Sequence, residues 1–141
     1  MDPSDKKKAL RLLTYGLYVA TSRDARGYAG GTINWLSQSS FSPPLIMAGI
    51  QRESSLHEAI SASRVFAIHI VGQSQKDLAT SFFKGAAVNG DTLNGYRFET
   101  GVTGAPVLVD PPAWFECRVV EELRRDEPPL TLRETGFFYG G

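Results

Sequence analysis

The sequence predicts one compact, β-rich domain over residues 1–141, with a few short helices and with its strands arranged as a barrel. The 141 residues suit a single domain, and a hydrophobic share of 42% is enough for one ordinary core. Short runs of β-branched and aromatic residues alternate with turn residues along the chain. A barrel is favoured over a parallel sheet because no regular alternation of strand and helix runs through the sequence.

The first elements are one helix and two strands. Asp5–Leu13 has leucines at helical spacing and follows a candidate cap, Ser4. Tyr15–Ser22 alternates as a strand, and Asp24–Gly27 has the residues of a tight turn. Tyr28–Phe41, rich in Thr, Ile, Trp and Ser, predicts a second strand.

A pair of glycines, Gly30 and Gly31, interrupts this second strand. Such a pair indicates a bulge, a bend or a close approach of another part of the chain. Further on, Leu45–Ile50 is a short apolar run, typical of a strand buried on both faces. Ser55 and Glu58 form a capping-box pattern, so we expect a helix to begin there with Ser55 as its cap.

The second half of the chain returns to strand character. The predicted elements are a strand over Val65–Val71, a helix over Gln73–Phe83 capped by Ser74, a surface loop over Lys84–Gly95, and strands over Val102–Val109 and Ala113–Val120. The tail carries an apolar group, Phe137-Phe138-Tyr139. We expect this group to pack on the barrel or on a partner subunit, because an exposed apolar cluster is unusual on a monomer.

Composition excludes several classes of protein. Fifteen basic residues balance fifteen acidic ones, so the sequence lacks the basic footprint of a nucleic-acid-binding protein. There is no apolar run long enough to span a bilayer and no signal-peptide layout, so we expect a cytoplasmic protein with no membrane partner. One cysteine and two histidines, without ligand-like spacing, predict no disulfide framework and no metal site.

The common catalytic motifs are also missing from the sequence. It has no Gly-x-Gly-x-x-Gly after the first strand, no phosphate loop and no Gly-x-Ser-x-Gly elbow. A hydrolytic triad would have to use His57 or His69, and His69 lies in an apolar strand where a packed, hydrogen-bonded role is favoured. Cys117, beside Trp114, is expected in the core.

What remains is a patch dense in small hydroxyl and amide side chains. Its members are Thr32, Asn34, Ser37, Gln38, Ser39, Ser40, Gln51, Arg52, Ser54 and Ser55. Taken singly, each serine could be a polar edge-strand residue or a helix cap. Together, Arg52, Ser54 and Ser55 bring a cation and hydroxyls to a predicted helix start, whose free N–H groups and dipole favour an anion. The patch therefore predicts a phosphate site without an ATP-type loop.

Several blocks of the sequence resemble, in the correct order, the flavin reductase-like, FMN-binding split-barrel proteins. The blocks are Gly30–Leu45, Gln51–His57, Phe66–Val71, Asp77–Lys84, Gly101–Leu108, Trp114–Cys117 and Phe138–Gly141. They cover nearly the whole chain. The resemblance implies an antiparallel split β-barrel that works as a homodimer and binds FMN, or FAD as in some relatives.

The same resemblance implies a set of cofactor-binding residues. It brings Thr32, Ile33, Asn34 and Trp35 to the flavin, Gly49, Ile50 and Gln51 to the edge of its ring, Arg52, Ser54, Ser55 and His57 to its phosphate end, and Phe82, Phe83 and Lys84 to the closing side of the site. Lys84 would add positive charge near the phosphate. For Trp35 an ordinary dimer-interface role remains equally open. The cofactor carries the redox step, so no protein nucleophile is expected.

The implied function is NAD(P)H-dependent flavin reduction, with NADH or NADPH as donor and a monooxygenase or another protein as acceptor. A non-catalytic flavin-binding or electron-carrier domain is the main alternative, and a domain that binds haem or another planar ligand is a third.

One departure from the family pattern bears on the implied function. Family members continue after the strand at Cys117 with a turn, often Gly-Asp-His, and a further strand, whereas this chain passes from Val120 through Arg124 to Asp126.

Two explanations of this departure are open: the protein lacks a hairpin arm, or two ordered pieces are joined across a missing segment. We favour the second, because a lost barrel strand would expose unpaired edges. In either case the histidine that relatives place near the nicotinamide has no counterpart here.

Overall fold

Two antiparallel sheets and three helices account for most of the structure. The computed structural model describes residues 2–11, 16–124 and 135–140. The helices are α1 Pro3–Arg11, α2 Ser55–Ser63 and α3 Lys76–Ser81. The strands are β1 Tyr18–Asp24, β2 Gly27–Ile33, β3 Trp35–Phe41, β4 Pro44–Gln51, β5 Val65–Ile70, β6 Val88–Asn89, β7 Thr92–Leu93, β8 Tyr96–Thr100, β9 Pro106–Leu108, β10 Ala113–Arg124 and β11 Thr135–Gly140. Among these residues, every strand pairing is antiparallel, as predicted.

The larger sheet is rolled. Its seven strands stand in the order β2-β1-β5-β10-β11-β4-β3, so β2 and β3 occupy its two edges. Only Asn34 separates these edge strands in the chain. In a flat sheet the edges would lie roughly 29 Å apart, whereas two peptide links reach at most about 7 Å. The sheet must therefore curl until its edges meet beside Asn34.

Both faces of the rolled sheet are covered. One buried cluster joins the sheet to α2; it contains Ala20, Ile33, Ala48, Ile50, Leu56, Ile60, Phe66, Ile68 and Cys117. A second cluster joins β1 to α3 and to the smaller sheet, β6-β7-β8-β9; it contains Val19, Leu78, Phe82, Leu93, Phe98 and Leu108. Neighbouring residues Val19 and Ala20 fall in different clusters because successive strand side chains point to opposite faces.

Two buried hydroxyls show how polar residues are accommodated between these layers. Thr21 and Ser22 of β1 are both fully buried. Thr21 donates to the carbonyl of Pro106 at 2.5 Å, and Ser22 donates to that of Val65 at 2.6 Å. Each hydroxyl therefore satisfies its hydrogen bond and also links β1 to a neighbouring element.

Several predicted boundaries are corrected by the structure. The predicted strand over Tyr28–Phe41 is two strands that part at Asn34. Ser54, not Ser55, caps α2. Helix α3 begins at Lys76 with Gln75 at the cap position, not Ser74, and Gln75 makes no side-chain capping bond. The predicted loop over Lys84–Gly95 contains β6 and β7, and most of the predicted strand over Val102–Val109 is a turn that precedes the short β9.

The end of the chain differs most from expectation. Strand β10 extends from Ala113 to Arg124, and its pairing with β11 has a register shift between Val119 and Glu121. The tail forms β11, which was not predicted as a strand, and it lies inside the sheet between β10 and β4. Predictions for residues 12–15 and 125–134 fall outside the described residues.

Two further findings concern the described residues. None of the helices in the part of the chain that the structure describes has the length and apolar character needed to cross a bilayer. Residues 2–11, 16–124 and 135–140 also contain no group of three or more His, Cys, Asp or Glu residues placed to hold a metal ion.

Candidate functional site

The N-terminus of α2 provides a group of backbone donors. Ser54 has extended backbone angles, and its hydroxyl accepts from the amide of His57 at 3.1 Å while it donates to the carbonyl of Gln51 at 2.7 Å. Helix geometry leaves the first amides, here those of Ser55 and Leu56, without an intrahelical acceptor, and the helix dipole adds positive potential at this end. An anion would be favoured there.

A cleft of about 440 Å³ opens at this helix end, a size typical of cofactor sites. Three segments form it: the end of β2, the link from β4 into α2, and the turn after α3. The lining residues are Gly30, Gly31, Thr32, Ile33, Ile50, Gln51, Arg52, Glu53, Ser54, Ser55, Leu56, Phe82, Phe83, Lys84 and Gly85. Segments far apart in sequence thus meet at one place, and the predicted site residues among the lining are Thr32, Ile33, Ile50, Gln51, Arg52, Ser54, Ser55, Phe82, Phe83 and Lys84.

The cleft has a mixed lining in which polar surface exceeds apolar surface. Ile33, Ile50 and Leu56 belong to the buried core and contribute to its lining. Phe83 and Lys84 are exposed at the rim. Among the described residues, the side chains that line the cleft include two cations, Arg52 and Lys84, and one carboxylate, Glu53. With the N-terminus of α2 beside them, such a site suits a molecule with an anionic end.

Two lining residues have unusual backbone angles. Glu53 has φ +66°, in the left-handed region that non-glycine residues seldom adopt. Gly85 has φ +99°, where an L side chain would be strained. A Cβ at position 85 would stand 3.8 Å from the carbonyl oxygen of Gly30 and 3.9 Å from the hydroxyl of Ser55, so Gly85 brings the turn after α3 close to the other two segments. Strained backbone of this kind clusters at binding sites.

The glycine pair in β2 is a close approach, one of the three readings that the sequence left open. A Cβ added to Gly30 would lie 3.1 Å from Cδ1 of Phe82, and one added to Gly31 would lie 3.2 Å from Cδ2 of Leu56. The missing side chains allow α2 and the turn after α3 to pack directly on the strand. The hydroxyl of Thr32 adds a further link by donating to the carbonyl of Ala79 in α3.

Some predicted site residues do not line the cleft. Asn34 is exposed between the edge strands, and Trp35 stands opposite Gly49 in the pairing of β3 with β4. Ser37 and Gln38 of β3 are exposed and bond to nearby backbone carbonyls. The polar patch seen in the sequence is therefore divided in space, and only its β2 and α2 portions reach the cleft.

His57 also lies apart from the cleft lining. Its buried imidazole has Nε2 3.4 Å from a carboxylate oxygen of Glu122 in β10. The same carboxylate accepts from Ser61 at 3.2 Å and from Arg64 at 3.4 Å. Two side chains of α2 and that of its C-cap, Arg64, thus meet one acidic group, which holds the helix against the sheet. The structure does not bring His57 to the expected phosphate end.

His69 is a packed histidine, as predicted. It is fully buried; Nδ1 lies 2.9 Å from the carbonyl of Val19, and Nε2 accepts from the amide of Leu108 at 2.9 Å. A ring that accepts at Nε2 and donates from Nδ1 is neutral, and burial lowers the pKa of His69 to about 4. Cys117 is likewise buried in the core, and burial raises the pKa of its thiol to about 12.

The family match decides the identity of this fold. A family model, the flavin reductase like domain, matches residues 10–135. The chain belongs to the flavin reductase-like domain family.

Individual flavin reductase-like proteins are similar to the chain along most of its length. It is 33% identical to the FMN reductase (NADH) SmoA of Agrobacterium fabrum over 79% of this chain and 62% of that protein. It is 32% identical to the NADH:riboflavin 5'-phosphate oxidoreductase of Streptomyces pristinaespiralis over 92% of this chain and 73% of that protein. The solved structure of flavin reductase PheA2 in its native state has a TM-score of 0.76 and 26% identity, covering 99% of this chain and 84% of that one. The chain spans less than two thirds of the length of SmoA.

The residues of this flavin reductase-like domain fit the group that the family name implies. The cleft lies at the N-terminus of α2, whose first amides, with Arg52 and Lys84, provide donors for a phosphate. Gly85 leaves room where a Cβ would approach both Gly30 and Ser55. Five lining residues were not among the predicted site residues: Gly30, Gly31, Glu53, Leu56 and Gly85. For Glu53 and Leu56 the only sequence signal was their place between Arg52 and His57.

Proposed function

We propose that this domain acts in NAD(P)H-dependent flavin reduction, with FMN, or FAD, held in the cleft between β2, α2 and the turn after α3. One observation carries the proposal: the end of β2, the link from β4 into α2 and the turn after α3 enclose a cleft at a helix N-terminus that Arg52 and Lys84 flank. In a chain of the flavin reductase-like family, this arrangement suits a flat ring with a phosphorylated tail. NADH or NADPH is the proposed electron donor.

The proposed roles of the residues follow from their chemistry. Ile33, Ile50 and Leu56, which are almost fully buried, would support the cleft wall beneath the ring. The amides of Ser55 and Leu56 would donate to the phosphate, with Lys84 and Arg52 adding charge. Phe82 and Phe83 would limit access of water to the site. When bound, the flavin would supply the two-electron chemistry between NAD(P)H as donor and an acceptor such as a monooxygenase.

We also propose that the rolled sheet is a split barrel and that two copies associate as a homodimer. Apolar side chains on the surface support an association: Trp114 is 48% exposed, Val120 65% and Val102 93%. The amides of Val102 and Thr103 donate to Glu116 of β10, so their loop lies on the same strand as Trp114 and Val120. Burial of these side chains in a partner would remove an apolar surface from water.

A flavin-binding electron carrier is a second candidate, and one observation favours it. The chain has two histidines; His57 packs against Glu122 and His69 is buried among β1, β5 and β9. Neither lines the cleft, so neither stands beside a nicotinamide there. A carrier would bind flavin but would not oxidise NADH or NADPH in the presence of free FMN.

Flavin binding and turnover are tested separately. The purified protein is titrated with FMN and with riboflavin, which lacks the phosphate, by fluorescence quenching. NADH and NADPH oxidation is then followed with added FMN. We expect binding of both flavins, tighter binding of FMN, and turnover; bound flavin without turnover would favour the carrier. Absence of any flavin binding would contradict both candidates.

A substitution of Lys84 tests the proposed contact with the flavin phosphate. Lys84→Ala should weaken FMN binding about threefold to tenfold while riboflavin binding stays the same, because an exposed charge contributes about 1 kcal/mol to an ion pair. Lys76→Ala is the matched control, since Lys76 is also exposed and opens α3 outside the cleft lining. Equal losses in the two variants, or an equal loss for both flavins, would contradict the proposed role of Lys84.

A further inference from the structure

One side chain outside the cleft holds a cleft wall in place. Asn94 lies in the turn between β7 and β8, on the smaller sheet, with φ +52°. Its side-chain amide donates two hydrogen bonds, to the carbonyls of Ser81 and Gly85, each at 2.9 Å. Its side-chain oxygen accepts from the amide of Ala87 at 2.7 Å, and its own backbone amide donates to the carbonyl of Ala87 at 2.9 Å.

These bonds bracket the segment that lines the cleft. Phe82, Phe83 and Lys84 lie between the two carbonyls that Asn94 holds, Ser81 and Gly85. Helix α3 ends at Ser81, and the last carbonyls of a helix have no intrahelical donor. Asn94 supplies a donor to the final one. Asn94, which lies in the turn between β7 and β8, therefore acts as a C-terminal cap for α3.

The chemistry of this position calls for asparagine. The side chain must provide two donors and one acceptor within one short amide group, and asparagine does so. Aspartate would present only acceptors to the carbonyls of Ser81 and Gly85. The residue must also accept a positive φ, which asparagine tolerates more readily than most other residues. Glycine would keep the backbone and remove all three side-chain bonds.

We propose that Asn94 is a positioning residue for the flavin cleft: it fixes the wall Ser81–Gly85 at the distance from β2 and α2 that flavin binding requires. The inference rests on the proposed function. It predicts that removal of the Asn94 side chain loosens this wall and weakens flavin binding, although Asn94 itself does not line the cleft.

The test compares two Asn-to-Gly variants in the same hairpins. Asn94→Gly removes the side-chain hydrogen bonds to Ser81, Gly85 and Ala87. Asn89→Gly is the control, because Asn89 is also followed by glycine and is exposed, and within the described residues it is bonded through its backbone rather than its side-chain amide. We expect the Kd for FMN to rise about tenfold in Asn94→Gly and to stay within twofold in Asn89→Gly. Amide hydrogen exchange should speed up at residues 82–87 in Asn94→Gly alone.

A double-mutant cycle with Lys84→Ala separates a positioning role from a general loss of stability. If Asn94 acts through the wall, its removal should cost less FMN affinity in the Lys84→Ala background, because part of what it positions is already gone. Additive losses, an FMN Kd for Asn94→Gly within twofold of wild type, or equal losses in the Asn89 control would overturn the inference.

Two further outcomes distinguish a failure of the inference about Asn94 from a failure of the proposed function. Wild-type protein that binds no flavin would refute the proposed function, whereas unchanged exchange at residues 82–87 in Asn94→Gly would refute the positioning role. If Asn94→Gly does not fold, Asn94→Asp is measured in its place. It retains the acceptor for Ala87 and loses both donors, so the same tenfold loss is expected, with Asn89→Asp as its control.

Discussion

His69 links three strands through one neutral ring. It lies on β5, bonds to a carbonyl of β1 and accepts from an amide of β9. Protonation at Nε2 would turn this acceptor into a second donor facing an N–H group. Burial already disfavours the charged form, which is why the pKa of His69 falls to about 4. The ring is therefore a structural group whose charge state affects folding.

The sign of the pH effect follows from that pKa. An unfolded chain protonates a histidine near pH 6.5, whereas the folded protein resists it down to about pH 4. The unfolded state thus binds more protons in this window, and stability falls as the pH falls. At pH 5 the loss should reach about 2 kcal/mol relative to pH 7. Urea unfolding from pH 7 to pH 5 measures it.

The matched variant is His69→Gln, which keeps an amide for hydrogen bonding and does not titrate. It should be less stable at neutral pH, and the difference between wild type and variant should shrink as the pH falls. Every other ionisable group is common to the two proteins, so its contribution cancels in this difference. A difference that stays constant from pH 7 to pH 5 would show that His69 is not the group responsible.

At the residue scale, the sequence predicts which residue types belong to the site better than it predicts where their side chains point. Arg52, Ser55 and Lys84 were predicted at the site and line the cleft. His57 was expected beside them, yet its imidazole points to Glu122 because the helix turns that side chain toward β10. Asn94 had no signal at all. Its partners lie 7 to 13 residues away in a turn whose path depends on the fold.

The end of strand β2 decides how closely the cleft walls approach each other. Phe82 is fully buried against Gly30, where a Cβ would stand 3.1 Å from the ring. Gly30→Ala should therefore push Phe82 and the turn after α3 outward. We expect a loss of about 1–3 kcal/mol in the free energy of unfolding, as for other overpacked cores, and weaker FMN binding.

A second substitution tests whether the added methyl acts through Phe82. Phe82→Leu alone should destabilise the protein, because it leaves a cavity. In the double variant, the space that leucine leaves should accommodate the alanine, so the two losses should be less than additive. Thermal unfolding of the two single variants and the double variant measures this. Strictly additive losses would mean that position 30 is limited by a neighbour other than Phe82.

At the element scale, local patterns predicted the long elements and missed the short ones. Strands such as β5 have a continuous apolar run, and α2 carries a capping pattern, so both could be read directly. Strands β6 and β7 have two residues each, too few for any periodicity to appear. The sequence could not separate Ser54 from Ser55 as the cap of α2, because either serine can fill that role. Only the hydrogen bond that the amide of His57 donates to the hydroxyl of Ser54 identifies the cap.

For the whole molecule, strand order could not be read from local sequence. Strands β2 and β3 adjoin in the chain but stand at opposite edges of the sheet, and β11 enters between β10 and β4. Patterns of alternation state that a segment is a strand and say nothing about which strand lies beside it. The expected barrel came from the absence of strand–helix alternation, and its detailed form came from resemblance to a family.

The position of β11 makes it necessary for the whole sheet. It pairs with β10 along Val119–Arg124 on one side and with β4 along Ile46–Gln51 on the other. Its removal would separate β4 and β3 from the other four strands and leave two new unpaired edges in the interior of the roll. Deletion of residues 136–141 should therefore abolish the cooperative unfolding transition rather than lower its midpoint by a few degrees.

Circular dichroism during heating, together with solubility after expression, measures this outcome. A deletion at the other end is the control: residues 1–11 include α1, which belongs to neither sheet. That variant should keep a cooperative transition. A chain without residues 136–141 that still unfolds cooperatively would mean that β4 pairs directly with β10 in its absence. FMN binding would then show whether Ile50 and Gln51, which β4 brings to the cleft, still reach their places.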